Sequence, residues 1–133
     1  MEEAQARVRK QLGREYPLTL GGERVFTEQK LISVNPAKTD EIVGVHAKAS
    51  PELADRAVET AYANFPSWSR TPAEDRIAMA VRAAEIIRAR KFDFNAWLVF
   101  EAGKTWPEAE AEVAEAIDFC EYYAREMARL SGA

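Results

Sequence analysis

Apolar residues recur every second position over a short stretch near the start of the chain and every third or fourth position over most of the rest. That change of period lays out the elements. Residues 2–15 set Ala4, Val8 and Leu12 four apart, the thin seam of a charged helix that Pro17 would end. LTLGGERVF, residues 18–26, alternates about Gly21-Gly22 and predicts a β-hairpin whose turn needs positive φ. LISVNP (31–36) and EIVGVHA (41–47) read as two further short strands, with Asn35-Pro36 breaking the first.

From Ser50 onward the period is helical. Ser50 is placed to cap a helix with Pro51 in its first turn, Ala54, Val58, Ala61 and Phe65 as its buried seam, and Pro66 as its stop. Thr71-Pro72-Ala73-Glu74 reads as a capping box with proline at the first helical position. The helix after it would bury Ile77, Val81, Ala84 and Ile87 and turn Arg76, Arg82, Glu85 and Arg88 to water. Asp93 reads as the cap of a shorter, very apolar helix, FNAWLVFEAG, that Gly103 ends. Trp106-Pro107 opens a last helix running to about Leu130.

A helix (1–15), a hairpin and short strands (16–47) and a helical part (50–130) make one helix-dominated α+β domain over 1–133, with too few strands for a doubly wound sheet of its own. The last helix poses the functional question. Val113, Ile117, Cys120, Ala124 and Met127 form one apolar stripe that seats it on a core. Its opposite side carries Glu115 with Phe119 one turn on and Tyr122 two turns on, next to Asp118. Rings around a carboxylate on an outer face imply either cover by another element or the lining of a site.

Composition narrows the classes. Apolar residues are 47% and charged residues 30% of the chain, a globular balance. A net charge of -4, with basic residues interleaved among acidic ones, argues against nucleic-acid binding. A single cysteine allows no internal disulfide and fits a reducing, cytoplasmic setting. No apolar run is long enough to span a membrane, and the charged start MEEAQARVRK has no signal-peptide core.

No complete catalytic constellation stands out. Cys120, the one thiol, falls in the middle of the core stripe and reads as buried and inert. His46 is the one histidine, so no two-histidine metal site exists, and it reads as a surface or strand-end residue. Gly21-Gly22 is a turn rather than a phosphate loop. Glu101-Ala102-Gly103-Lys104 reads as a left-handed helix stop followed by a solvated lysine. Glu108, Glu110, Glu112, Glu115, Asp118 and Glu121 are spread around the last helix instead of converging on a cation. For Glu115 between Phe119 and Tyr122, a site and an ordinary packing contact stand even.

Four segments resemble a known family: YPLTLGGERV, VNPAKTDEIVGVHAKAS, AVETAYANFPSWSRTPAEDRIAMAVRAAEIIRARK and LVFEAGKTWPEAEAEVAEAIDFCEYYA. Asn-Pro-Ala followed by Val-Gly, a tryptophan before Thr-Pro-x-x-Asp-Arg, and Glu-x-Gly-Lys before the last helix form an ordered set over roughly residues 16–130. Together they resemble the N-terminal region of aldehyde dehydrogenases, and AEAIDFxEYYAR looks closest to the branch oxidising glutamate γ-semialdehyde, the 1-pyrroline-5-carboxylate dehydrogenases.

The resemblance implies an NAD-dependent parent whose Rossmann and catalytic domains, nucleophilic cysteine and general-base glutamate lie outside these residues. It therefore implies a truncated segment that is inactive and binds no cofactor alone, and a Cys120 that is not the nucleophile. It places Glu115, Phe119 and Tyr122 on the wall of the tunnel through which the aldehyde arrives, with Glu115 orienting the ammonium end of the semialdehyde. Glu101 matches an acidic position that some relatives use near a monovalent cation. The alternative is a free-standing helical interaction module derived from such an enzyme. In either case, faces built to meet other domains favour a homo-oligomer, with exchange of helices or strands as one route.

Overall fold

The computed structural model describes residues 1–132. Among them the chain forms five helices and five short strands in the order α1 (Glu2–Arg9), β1 (Arg14–Tyr16), β2 (Leu18–Leu20), β3 (Glu23–Val25), β4 (Lys30–Asn35), β5 (Lys38–Ala47), α2 (Pro51–Trp68), α3 (Ala73–Ala89), α4 (Lys91–Ala102) and α5 (Trp106–Ser131). This is the helix-dominated α+β order that the hydrophobic pattern predicts. The residues group into two compact units, Gln11–Arg70 and the combination of Met1–Lys10 with the chain from Thr71 onward.

In the unit spanning Gln11–Arg70, β2 and β3 pair antiparallel about Gly21 and Gly22, whose φ values of 59° and 86° are those the expected two-residue turn demands. Strand β5 is the centre of a three-stranded sheet, antiparallel to β4 and parallel to β1. At the β4–β5 turn, buried Asn35 accepts from the Ala37 N–H at 2.9 Å and donates to Glu41 at 2.8 Å. Ser50 caps α2 by accepting the Leu53 N–H at 3.3 Å, with Pro51 opening the helix.

Three expectations fail between residues 2 and 68. The first helix ends at Arg9 rather than running to residue 15. Gly13, at φ 74°, turns the backbone out of the helical path and donates its N–H to Val43 O at 3.0 Å, so that residues 14–16 join β5. Helix α2 runs through Pro66 to Trp68, because a proline in a last turn forfeits few bonds and the Ser69 N–H still reaches Phe65 O at 2.8 Å. Nor is its expected seam buried: Val58 is 71% and Phe65 60% exposed, and no α2 residue is buried. An amphipathic pattern marks the face that wants cover without supplying the cover.

In the other unit, α5 lies along α3 and α4, and α1 lies on α4. Its core is Ala84, Val113 and Ile117, with Ile87, Phe94, Leu98 and Cys120 packed around them. Ala4 and Val8 of α1 are buried, as are Ala96 and Phe100 of α4, and the Arg9 guanidinium stands 5.2 Å from the centre of the Phe100 ring. Val81, expected in the α3 seam, is 40% exposed while Ala84 carries the contact. The α3 start also shifts: Pro72 sits at the cap position and Ala73 is the first helical residue. Asp93 is not a cap, because α4 begins at Lys91 directly after a break at Arg90. Asp93 instead accepts from Arg7 of α1, at 2.7 Å from Nη2 and 3.2 Å from Nε.

Candidate functional site

Helix α5 begins where Glu108 accepts hydrogen bonds from the Thr105 N–H at 2.9 Å and the Thr105 hydroxyl at 2.8 Å. That pairing fixes the start of the helix and holds the Glu108 carboxyl below the usual range, the backbone donor contributing most. Val113, Ile117 and Ala124 are buried, and Cys120 and Met127 half-buried, so the predicted stripe faces α3 and α4.

Five of the seven carboxylates of this helix are engaged, Glu126 among them through Arg129 at 2.7 Å. Besides Glu108, Glu110 accepts from Lys91 at 2.5 Å and from the buried Asn95 at 2.6 Å, Glu112 pairs with Lys104, and Glu121 lies between Arg88 and Arg125. Hydrogen bonds from the Lys91 ammonium, then from Asn95, lower the Glu110 carboxyl, and Arg88, then Arg125, lower Glu121. Lys104 is therefore half-buried and ion-paired rather than solvated, and its ammonium is raised, chiefly by the hydrogen bond to Glu112. Gly103 does make the expected left-handed stop, at φ 66°. Among the described residues no three His, Cys, Asp or Glu side chains gather as metal ligands would.

Glu115 and Asp118 are the remaining two, exposed and without a hydrogen-bond or ion-pair partner among the described residues. Phe119 and Tyr122 share their side of the helix at 50% and 55% exposure. The rings are joined by a residue that the sequence reading passed over. Tyr123 stacks on Phe119 with centroids 5.9 Å apart and meets Tyr122 edge-on at 5.3 Å. The 119/123 spacing of four was the available signal. Phe119, Cys120 and Tyr123 also border a groove of about 340 Å³ against Arg76, Ile77 and Ala80 of α3.

The other candidates lie elsewhere. Cys120 belongs to the core packing of α5. His46 sits on β5 and stacks on Tyr16 of β1, 5.2 Å between centroids and 17° between planes. Gly21 and Gly22 border a groove of about 680 Å³ beside α2, lined by Thr19, Ala57, Thr60 and Asn64 among others and by no basic side chain. Such a lining does not suit a pyrophosphate. Glu101 is exposed at the end of α4.

The chain belongs to the aldehyde dehydrogenase family, whose model matches residues 25–133. It is 58% identical over 124 residues to the 1-pyrroline-5-carboxylate dehydrogenase of Geobacillus kaustophilus, a match covering 93% of this chain and 24% of that protein. The structure superposes on a 1-pyrroline-5-carboxylate dehydrogenase from Thermus thermophilus with a TM-score of 0.91 at 50% identity, over 93% of this chain and 24% of the other. A Thermus 1-pyrroline-5-carboxylate dehydrogenase with bound NAD gives 0.90 at 49% identity, with the same two coverages. The chain thus spans about a quarter of the length of the relatives it matches. Among the described residues no helix is long and apolar enough to cross a membrane.

Proposed function

We propose that this chain is the N-terminal segment of an NAD-dependent dehydrogenase that oxidises L-glutamate γ-semialdehyde, the open form of 1-pyrroline-5-carboxylate, to glutamate in proline catabolism. The observation that carries the reading is the 58% identity over 93% of the chain to a relative of that name. In the complete enzyme NAD supplies the oxidising power. The segment alone is proposed to be inactive and to hold no cofactor, a reading supported by the groove beside Gly21-Gly22, whose lining carries no basic side chain.

Within that enzyme the outer face of α5 forms one wall of the substrate tunnel. Glu115, exposed and unpartnered, is free to accept hydrogen bonds from the ammonium end of the semialdehyde, while Phe119 and Tyr122 shape the passage beside it. Removing the negative charge should weaken substrate binding more than it slows chemistry at the distant aldehyde carbon. In an enzyme of the relatives' length carrying this segment, Glu115→Gln should raise KM for the semialdehyde about tenfold and leave kcat nearly unchanged. Unchanged KM and kcat would remove Glu115 from the site. NADH formation by the native protein from L-glutamate γ-semialdehyde tests the activity itself.

A further inference from the structure

The outer face of α5 also carries a charge pattern that complements itself. Around Tyr122, at 100° per residue, Glu115, Asp118, Phe119, Arg125, Glu126 and Arg129 fall within about 60° on one side of the helix, opposite the buried Val113, Ile117 and Ala124. The N-terminal half of that face is acidic, with Glu115 and Asp118 unpartnered among the described residues. The C-terminal half carries Arg125 and Arg129 with Glu126 between them, a net charge of about +1. Arg125 and Arg129 each hold one intrachain partner, Glu121 at 3.1 Å and Glu126 at 2.7 Å, yet their side chains stay 74% and 66% exposed, with guanidinium donors to spare.

We propose that the 133-residue chain associates with a second copy of itself through this face, α5 against α5, antiparallel about a two-fold axis at Tyr122. Glu115 and Arg129 lie seven residues, close to two turns, on either side of Tyr122. An antiparallel two-fold therefore brings each Glu115 opposite Arg129 of the second copy. Asp118 and Arg125 lie four and three residues from Tyr122 on the same edge of the face, so they too meet across the axis. Four charge pairs surround a centre of Tyr122 rings, with Phe119 and Tyr123 at its margin, and the helix dipoles oppose. A parallel pairing would set acidic half on acidic half and is excluded by repulsion. The inference concerns the chain as it stands and does not depend on the tunnel reading.

Sedimentation equilibrium of the 133-residue chain between about 1 and 200 μM tests it. The expected result is a monomer–dimer equilibrium that weakens as salt is added. Glu115→Arg alone and Arg129→Glu alone should each weaken the dimer about tenfold, and the two together should restore it. Val58→Asp on the exposed face of α2 should leave it unchanged, and circular dichroism should show all four variants folded. A monomer at every concentration, association indifferent to Glu115→Arg, failure of the double exchange to restore it, or loss of the dimer on Val58→Asp would each overturn the proposal.

Discussion

Asn95, 2% exposed in the middle of α4, donates through Nδ2 to Glu110 of α5 at 2.6 Å. A carboxylate can only accept, so this bond fixes the amide's orientation and leaves the enclosed Oδ1 without a hydrogen-bond partner. The contact locks two helices in register and carries an uncompensated acceptor with it.

Two substitutions separate those effects. Asn95→Ala leaves a void and removes the interhelical bond, and should lower unfolding stability by about 1–3 kcal/mol. Asn95→Leu keeps the branched shape, fills the site with a somewhat larger side chain and removes the orphaned acceptor, while Glu110 retains Lys91. It should lie within about 1 kcal/mol of the parent chain. Urea unfolding followed by circular dichroism gives both values.

Gly44 lies beneath the stacked rings of Tyr16 and His46. A methyl group at residue 44 would stand 2.8 Å from His46 Nε2 and 3.2 Å from the Tyr16 ring, so one ring must move. Gly44→Ala should cost roughly 1–2 kcal/mol and displace the His46 ring resonances. Unchanged resonances would show that the rings yield freely.

Acid should weaken the fold through three glutamates. Glu110, Glu121 and Glu108 titrate below the usual range, held there first by Lys91, by Arg88 and by the Thr105 N–H respectively. A carboxyl whose folded pKa lies below its unfolded one stabilises in full above the unfolded value, about 4.3. That contribution is lost as the pH falls through the folded value. The urea midpoint should be level between about pH 6 and 8 and fall below about pH 4.5. Combining Glu110→Gln with Glu121→Gln should lower the midpoint at neutral pH and make the acid fall shallower. Lys104, raised by Glu112, contributes at the opposite end, where its share is lost only at strongly alkaline pH.

Much of this was legible in the residues because the signals were local. Gly21-Gly22, Ser50-Pro51, Gly103 and Trp106-Pro107 mark turns and helix ends through their own backbone preferences, and the α5 stripe follows from period alone. Strand β1 was not legible, since Arg14, Glu15 and Tyr16 become a strand only through pairing with distant β5. Asp93 looked like a cap because its use by Arg7, 86 residues away, leaves no local trace. The exposed seam of α2 was misjudged for the opposite reason: its pattern is intact, yet none of its residues is buried. Likewise Glu115, Phe119 and Tyr122 were found from one helical face, whereas Tyr123, which joins the rings, sits just beyond that face.

We propose that these residues belong to a dehydrogenase for L-glutamate γ-semialdehyde and hold no active site of their own. The direct measurement is NADH formation from NAD and L-1-pyrroline-5-carboxylate, made in parallel on the protein purified from its native source and on the 133-residue chain. The native protein should form NADH in proportion to enzyme added, and the isolated chain none above the blank. A homogeneous native protein that forms no NADH with this substrate, or an isolated chain that does, would contradict the account.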